Sequence, residues 1–353
     1  MRRSLIMAAL VAVALGGAPA AGAATPARHP DLTWRLSVTG TDAQLRGLAA
    51  VSSRVAWASG ARGTVLRTVD SGRTWQRSTP PGSEALDLRD IEAFDARTAV
   101  TMSIGPGDQS RIYRTTDGGA TWTETFRSAE PAAFYDCMAF FDRRHGLAMS
   151  DPVDGKFRVL STDDGGASWQ VVPEAGMPPA LAGEFGFAAS GQCLTVAGGR
   201  HAWIATGGGA TARVLHSADR GRTWTAHDTV LASGPSAGVY ATAFRDRSRG
   251  IAVGGDYTDP TGGVDALGVT RDGGRTWSRP AVAPQGYRSG VAWHPFLPTV
   301  AIAVGPTGSD VTVDGGLRWH SFDAGSFDTV DCARDGACWA SGARGRVGKL
   351  GWS

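Results

Sequence analysis

The chain has 353 residues, 49 of them glycine, with 19% charged residues and a formal charge of +2. So small a charge gives no electrostatic case for a nucleic-acid partner, and the composition excludes a disordered chain. Twelve tryptophans against five tyrosines, among so many glycines, describe a turn-rich, well-packed β protein.

The first element in chain order is a leader. Met1-Arg2-Arg3, an apolar run from Leu5 to Leu15 and the small residues Ala21-Gly22-Ala23 form the pattern of a secretory signal peptide. It predicts a signal over residues 1–23, a linker over 24–30 and an exported, periplasmic or extracellular mature chain. No later run is apolar enough for a bilayer helix, so no integral membrane segment is expected after processing. Export permits disulfides. Cys332 and Cys338 flank Ala-Arg-Asp-Gly-Ala, a turn between two strand candidates, so a bridge is expected there. Cys137 and Cys193 are free to pair, but their spacing does not require it. No Cys-x-x-Cys occurs and the histidines are scattered, so no metal or cofactor is expected.

From residue 31 onward one phrase recurs six times: a hydroxyl residue, any residue, Asp, two small or polar residues, a spacer, Thr/Ser/Arg, then Trp. The copies start at Thr68, Thr115, Thr162, Ser217, Thr270 and Thr312. Their aspartates, Asp70, Asp117, Asp164, Asp219, Asp272 and Asp314, stand 47, 47, 55, 53 and 42 residues apart. Such a period marks an array whose units bury their apolar faces against one another. Around the first copy the β-rich stretches are 54–60, 64–68, 76–78 and 88–94, which gives four strands per unit.

The last stretch, 331–350, matches the first unit but stops before any Asp phrase. Thr33-Trp34-Arg35-Leu36-Ser37 matches Thr74-Trp75-Gln76-Arg77-Ser78 and supplies the missing outer strand. The prediction over residues 31–353 is therefore all-β: a seven-bladed β-propeller of four-stranded antiparallel blades, its ring closed by the N-terminal strand.

In each phrase the Asp accepts hydrogen bonds within its own tight turn and the Trp packs beneath it, which makes the aspartates structural. The phrase resembles the Asp-box (bacterial neuraminidase) repeat, and its Thr-x-Asp-Gly-Gly-x-Thr-Trp form is similar to photosystem II stability/assembly factor-like proteins. The resemblance implies a sialidase-like superfamily propeller that serves as a binding or assembly scaffold. Sialidases, xyloglucanases and sortilin-type receptors share the box, so a glycoside hydrolase is the alternative. The Arg-Ile-Pro motif of sialidases is missing. No Gly-x-Gly-x-x-Gly follows a strand, so a hydrolase is preferred to an oxidoreductase.

Aligning the innermost strands places Arg46, Arg89, Asp136, Glu184, Tyr240, Arg288 and Asp328 around one end of the axial channel, opposite the boxes. The arginines could clamp a carboxylate, and Asp136, Glu184 and Tyr240 are the candidate catalytic groups. Long acid-rich loops on the same face add Asp151, Asp256 and Tyr257 as binding candidates, with Asp256, Asp259 and Asp265 in a spacing that fits no standard calcium loop. The expected function is a monomeric scaffold that docks a protein partner on this face. The alternative is a sialidase-like hydrolase taking an acidic small molecule or glycan at the channel mouth.

Overall fold

The computed structural model describes residues 32–352; the signal-peptide and linker expectations fall outside these. Seven antiparallel sheets follow one another along the chain, each ordered from the innermost strand outward. The innermost strands are Leu45–Ala50, Asp87–Ala93, Tyr135–Phe140, Leu194–Ala197, Ala237–Phe244, Gly290–Trp293 and Thr329–Cys332. This is a seven-bladed propeller. Blade 7 takes three strands from the C-terminal end and its outermost, Leu32–Ser37, from the start of the described chain.

That closing strand is held by more than its ladder. Trp34, 8% exposed, lies against Phe327 and Phe322 with ring centroids 5.2 and 5.9 Å away. Its indole N–H donates to Ser309 Oγ of blade 6 at 3.0 Å. Ser309→Ala leaves this buried donor unpaired and is expected to cost about 1–2 kcal/mol, read as a lower denaturant midpoint at unchanged slope.

Each Asp phrase forms the turn between a blade's third and fourth strands. In the first copy Thr68 Oγ1 accepts from Gly72 N (2.9 Å) and donates to Asp70 Oδ1 (2.9 Å). Asp70 in turn accepts from Thr74 N (3.0 Å) and Thr74 Oγ1 (2.6 Å). Gly72 sits at φ +81, where a side chain would be strained. Five copies repeat the whole pattern. In the sixth, Arg318 takes the Thr position, and its N–H donates to Asp314 Oδ1 at 2.9 Å. Trp224, Trp277 and Trp319 return their indole N–H to a glycine carbonyl of their own turn. Trp75 and Trp122 lie edge-on against Trp339 and Trp57 of the preceding blade. The turns thus join blade to blade.

Two blades depart from the expected plan. In blade 5 the fourth strand shrinks to one residue pair, Val269 with Ser278. Pro280 follows two residues later and has no N–H with which to continue a ladder. In blade 3 the stretch 150–156 is not a long loop. Strands Gly146–Val153 and Lys156–Thr162 run on into a two-residue hairpin at Asp154-Gly155, both at positive φ. Asp-Gly is the residue pair such a tight hairpin favours.

Candidate functional site

Innermost strands run from the face opposite the Asp turns, here called the mouth face, toward the turn face. In four blades the first turn of that strand carries the same β-bulge: the register slips between Leu45 and Gly47, Leu88 and Asp90, Tyr135 and Cys137, and Val239 and Ala241. The bulged residues are Arg46, Arg89, Asp136 and Tyr240. A bulge re-aims a side chain out of the pleat, and these four share that position at the mouth-side part of their strands. Asp328 N bonds Ser341 O (2.8 Å), the equivalent position in blade 7.

The other two members of the expected ring are elsewhere. In blade 6 the bulge position is Ser289. Arg288 stands one residue earlier, where its backbone crowds Gly305 as Leu45 crowds Gly60. Its side chain is 1% exposed and pairs with Asp310 at 2.6 Å inside the blade. Glu184 belongs to a buried knot. Oε1 accepts from Thr206 Oγ1 (2.6 Å) and Arg213 Nε (2.9 Å); Oε2 accepts from Leu181 N (2.8 Å) and Arg213 Nη2 (2.5 Å). Its side chain has no exposure, so it meets no substrate. Tyr240 is also engaged: its hydroxyl donates to Ser236 O at 2.6 Å and its ring stacks on Phe187 at 3.9 Å. The three catalytic candidates therefore do not form one open proton-transfer set.

The reason is an insertion that sequence reasoning missed. Phe185 bridges Gly207, while Ala205 N already bonds Cys193 O. Residues 186–192 of blade 4 consequently leave the ladder and cross the hub. Gly186 N donates to Asp151 Oδ1 (2.7 Å) and Arg89 Nη1 to Ala188 O (2.9 Å). Gln192 reaches blades 6 and 7: Nε2 donates to Val291 O (3.1 Å) and Val330 O (2.9 Å), and Oε1 accepts from Val291 N (2.9 Å). A disulfide joins Cys193 to Cys137 of blade 3 at the segment's end. The structure also contains the Cys332–Cys338 bond. The segment is a plug. The one signal for it was the 55-residue interval between Asp164 and Asp219, the longest of the five.

On the turn side of the plug lies a cavity of about 300 Å³ whose lining includes Asp90, Glu92, Gln192 and Asp331. Asp90 Oδ2 accepts from Met138 N of the next blade (2.6 Å), and Asp331 Oδ2 from Ala50 N (2.8 Å). An innermost strand is a sheet edge with unpaired N–H groups, and these carboxyls cap them. Burial raises all three acids, Asp90 to about 8, with Glu92 raised further by Asp90 and Asp331.

On the mouth side, Arg46 is half-buried and its guanidinium has no hydrogen bond or ion pair among the described residues. Burial first, then the charge of Arg89, lower its pKa, although a guanidinium stays charged. Arg89 is held by Asp87 Oδ2 at 2.8 Å. Asp328, raised by burial and lowered by Arg46, accepts from Gln44 Nε2 at 3.0 Å. Tyr287, buried beside Arg46 and Asp328, meets Tyr240 edge-on at 4.7 Å. Tyr257, 55% exposed, lies 6.5 Å from Tyr240.

Nearby, Asp136 and Asp151 are neighbouring buried carboxyls whose charges disfavour each other. Burial and the Asp151 charge raise Asp136 strongly, and burial raises Asp151 to about 6. Asp136 Oδ2 is buried without a partner in the described residues. Of the loop candidates, Asp256 binds Thr258 N and Oγ1 (2.8 and 2.6 Å), Asp259 binds Gly262 N (3.1 Å), and Asp265 pairs with Arg279. Each has a partner of its own.

The described residues thus form a seven-bladed propeller with a plugged hub, at whose mouth the Arg46 guanidinium makes no hydrogen bond or ion pair among them. No protein-family model matches the chain, and no curated protein matches its sequence. Among solved structures it is similar to YCF48 bound to D1 peptide, at TM-score 0.63 and 14% identity over 92% of this chain and 97% of that one. It is also similar to YCF48 from Cyanidioschyzon merolae, at TM-score 0.59 and 17% identity over 90% and 98%. The GH74 xyloglucanase from Xanthomonas campestris matches at TM-score 0.61 and 17% identity, over 89% of this chain and 53% of that one. At such identities the likeness is one of fold.

Proposed function

We propose that this chain is an exported binding or assembly scaffold whose partner is a polypeptide docking on the mouth face, through a carboxylate received by Arg46. The observation that carries this reading is the half-buried Arg46 guanidinium, which makes no hydrogen bond or ion pair among the described residues, although the charges of Asp328 and Asp87 favour its charged form. An arriving anion offsets both its desolvation and its repulsion from Arg89. The surrounding tyrosines, Tyr287, Tyr240 and Tyr257, supply the rigid amphipathic area that peptide contacts use. A YCF48 with a bound peptide on the same fold, and the Asp-box resemblance to assembly factors, support the reading. The plug leaves no through-channel, and Glu184 is spent on Arg213, which weighs against the sialidase-like alternative.

A photo-crosslinking residue at Tyr257, with a control at Arg73 on the turn face, tests this in the envelope fraction. A discrete polypeptide adduct is expected from Tyr257 alone, reduced about tenfold or more by Arg46→Glu. Equal labelling from Arg73, or labelling indifferent to Arg46→Glu, overturns it. Hydrolysis of an acidic glycan that disappears in Asp136→Asn would put the hydrolase in its place.

A further inference from the structure

The turn face presents a surface that the mouth-face reading does not use. The loop following the innermost strand of blade 6 reads His294-Pro295-Phe296-Leu297-Pro298. Phe296 is 64% and Leu297 41% exposed at its tip. The loop is stiff: His294 Nδ1 accepts from Phe296 N (3.2 Å) and Leu297 N (3.1 Å), and Val300 N donates to Leu297 O (3.0 Å). Trp352, 37% exposed, meets the His294 ring at 5.3 Å and extends the apolar patch.

Blade 5 supplies the charge next to it. Its two turn-face segments, 245–249 and 271–275, hold five arginines against two aspartates, and all five arginines are exposed. Arg245 donates to Pro298 O, which ties this cluster to the apolar loop. The acids are engaged within their own turns, and Asp246 also pairs with Arg249 at 3.9 Å. Asp246 accepts from Ser248 N and Arg249 N (2.8 and 2.9 Å), and Asp272 from Thr276 N and Oγ1 (3.0 and 2.6 Å). On blades 6 and 7 Asp314 and Asp335 likewise accept from backbone N–H groups, and Asp314 also pairs with Arg318 at 3.5 Å. Five exposed arginines against two locally engaged aspartates leave a positive excess beside a rigid apolar tip, while the near-neutral charge of the whole chain conceals the asymmetry.

We propose that the turn face of blades 5 and 6 docks on an anionic lipid surface. Phe296, Leu297 and Trp352 enter the boundary between headgroups and acyl chains, and the blade 5 arginines contact lipid phosphates. Large apolar side chains next to a cationic collar are the chemistry by which a protein lies on an anionic bilayer without crossing it. The combination of a protruding, rigid apolar tip with a collar of guanidinium groups matches a lipid phosphate plane with acyl chains beneath it. Docked in this way, the mouth face points away from the membrane.

Vesicle sedimentation tests the proposal. The protein is expected to bind vesicles of phosphatidylglycerol and phosphatidylcholine in equal parts, not phosphatidylcholine alone, and to release as salt rises. Phe296→Ser with Leu297→Ser weakens binding about tenfold, and Arg245→Ala with Arg247→Ala and Arg249→Ala about a hundredfold. These side chains are exposed, so thermal midpoints should match the parent; if the serine pair shifts its midpoint, the arginine triple decides. Absence of binding to the anionic vesicles, or binding unchanged in the triple variant, overturns the proposal. So does a concentration-dependent dimer that the serine pair abolishes, which would identify a second copy as the occupant.

Discussion

Raising the pH from 5 to 8 is expected to lower the unfolding free energy, by about 4 kcal/mol from Asp90 alone. Asp90 has a folded pKa of about 8 against an ordinary 3.8, because burial in the hub penalises its charge. Between those values the folded state keeps a proton that the unfolded state releases, so stability falls as pH rises. Asp151, raised to about 6, adds to the same slope over the lower part of the range, as do the raised Asp331 and Asp328. The turn carboxylates act in the opposite sense. Asp272 and Asp142, held at about 2 by hydrogen bonds despite partial burial, contribute stability above 3.8 that is lost as pH falls toward 2. Maximum stability therefore lies near pH 4–5. Asp90→Asn keeps an acceptor for Met138 N and removes the charge, so it should stabilise the protein at pH 8 and flatten the slope. Urea unfolding at pH 5, 6, 7 and 8 reads both effects. A free energy that is flat across that range for the parent would sink the argument.

Glu184→Ala is expected to cost about 3–5 kcal/mol, because it strands the Arg213 guanidinium in a site built around a carboxylate. Arg213 is 9% exposed and its remaining partner is Pro179 O at 3.2 Å. Arg213→Leu should cost a similar amount, leaving Glu184 charged and bonded only by Thr206 and Leu181. The double replacement Glu184→Leu with Arg213→Leu should recover most of the loss, since neither buried charge remains. A double-mutant cycle by guanidinium unfolding measures this. Single variants within about 1 kcal/mol of the parent would return Glu184 to the list of groups free to act.

The ring of blades was legible because the Asp phrase carries its own register: hydroxyl, Asp, Gly and Trp sit at fixed offsets that one turn demands. The register of Arg46, Arg89, Asp136, Tyr240 and Asp328 was legible because each directly precedes the apolar pattern of its innermost strand, uninterrupted by insertion. Glu184 and Arg288 were not. At Glu184 the alignment ran straight through the plug, which departs from a ladder by tertiary contacts that no local propensity encodes. At Arg288 a one-residue slip moved a side chain from the hub to the interior of a blade. The acids Asp90, Glu92 and Asp331 stayed hidden because their partners are edge N–H groups of another blade. Blade 3's hairpin was legible in Asp154-Gly155 and was obscured by the acids around it.

The strand that closes the ring pairs Leu32 with Trp352 and Ser37 with Val347, so the first and last described stretches of the chain are neighbours. Blade 7 cannot form until synthesis has delivered the strand Val347–Trp352. Until then Leu32 and Trp34 wait without a sheet, and six finished blades hold the arc open with both of its edges unpaired. Closure joins the first and last described strands, and contacts of Ala50 with Asp331 and of Trp75 with Trp339 seal blade 1 against blade 7. A chain interrupted between Asp323 and Val347 therefore retains the strands of six blades and loses its circle.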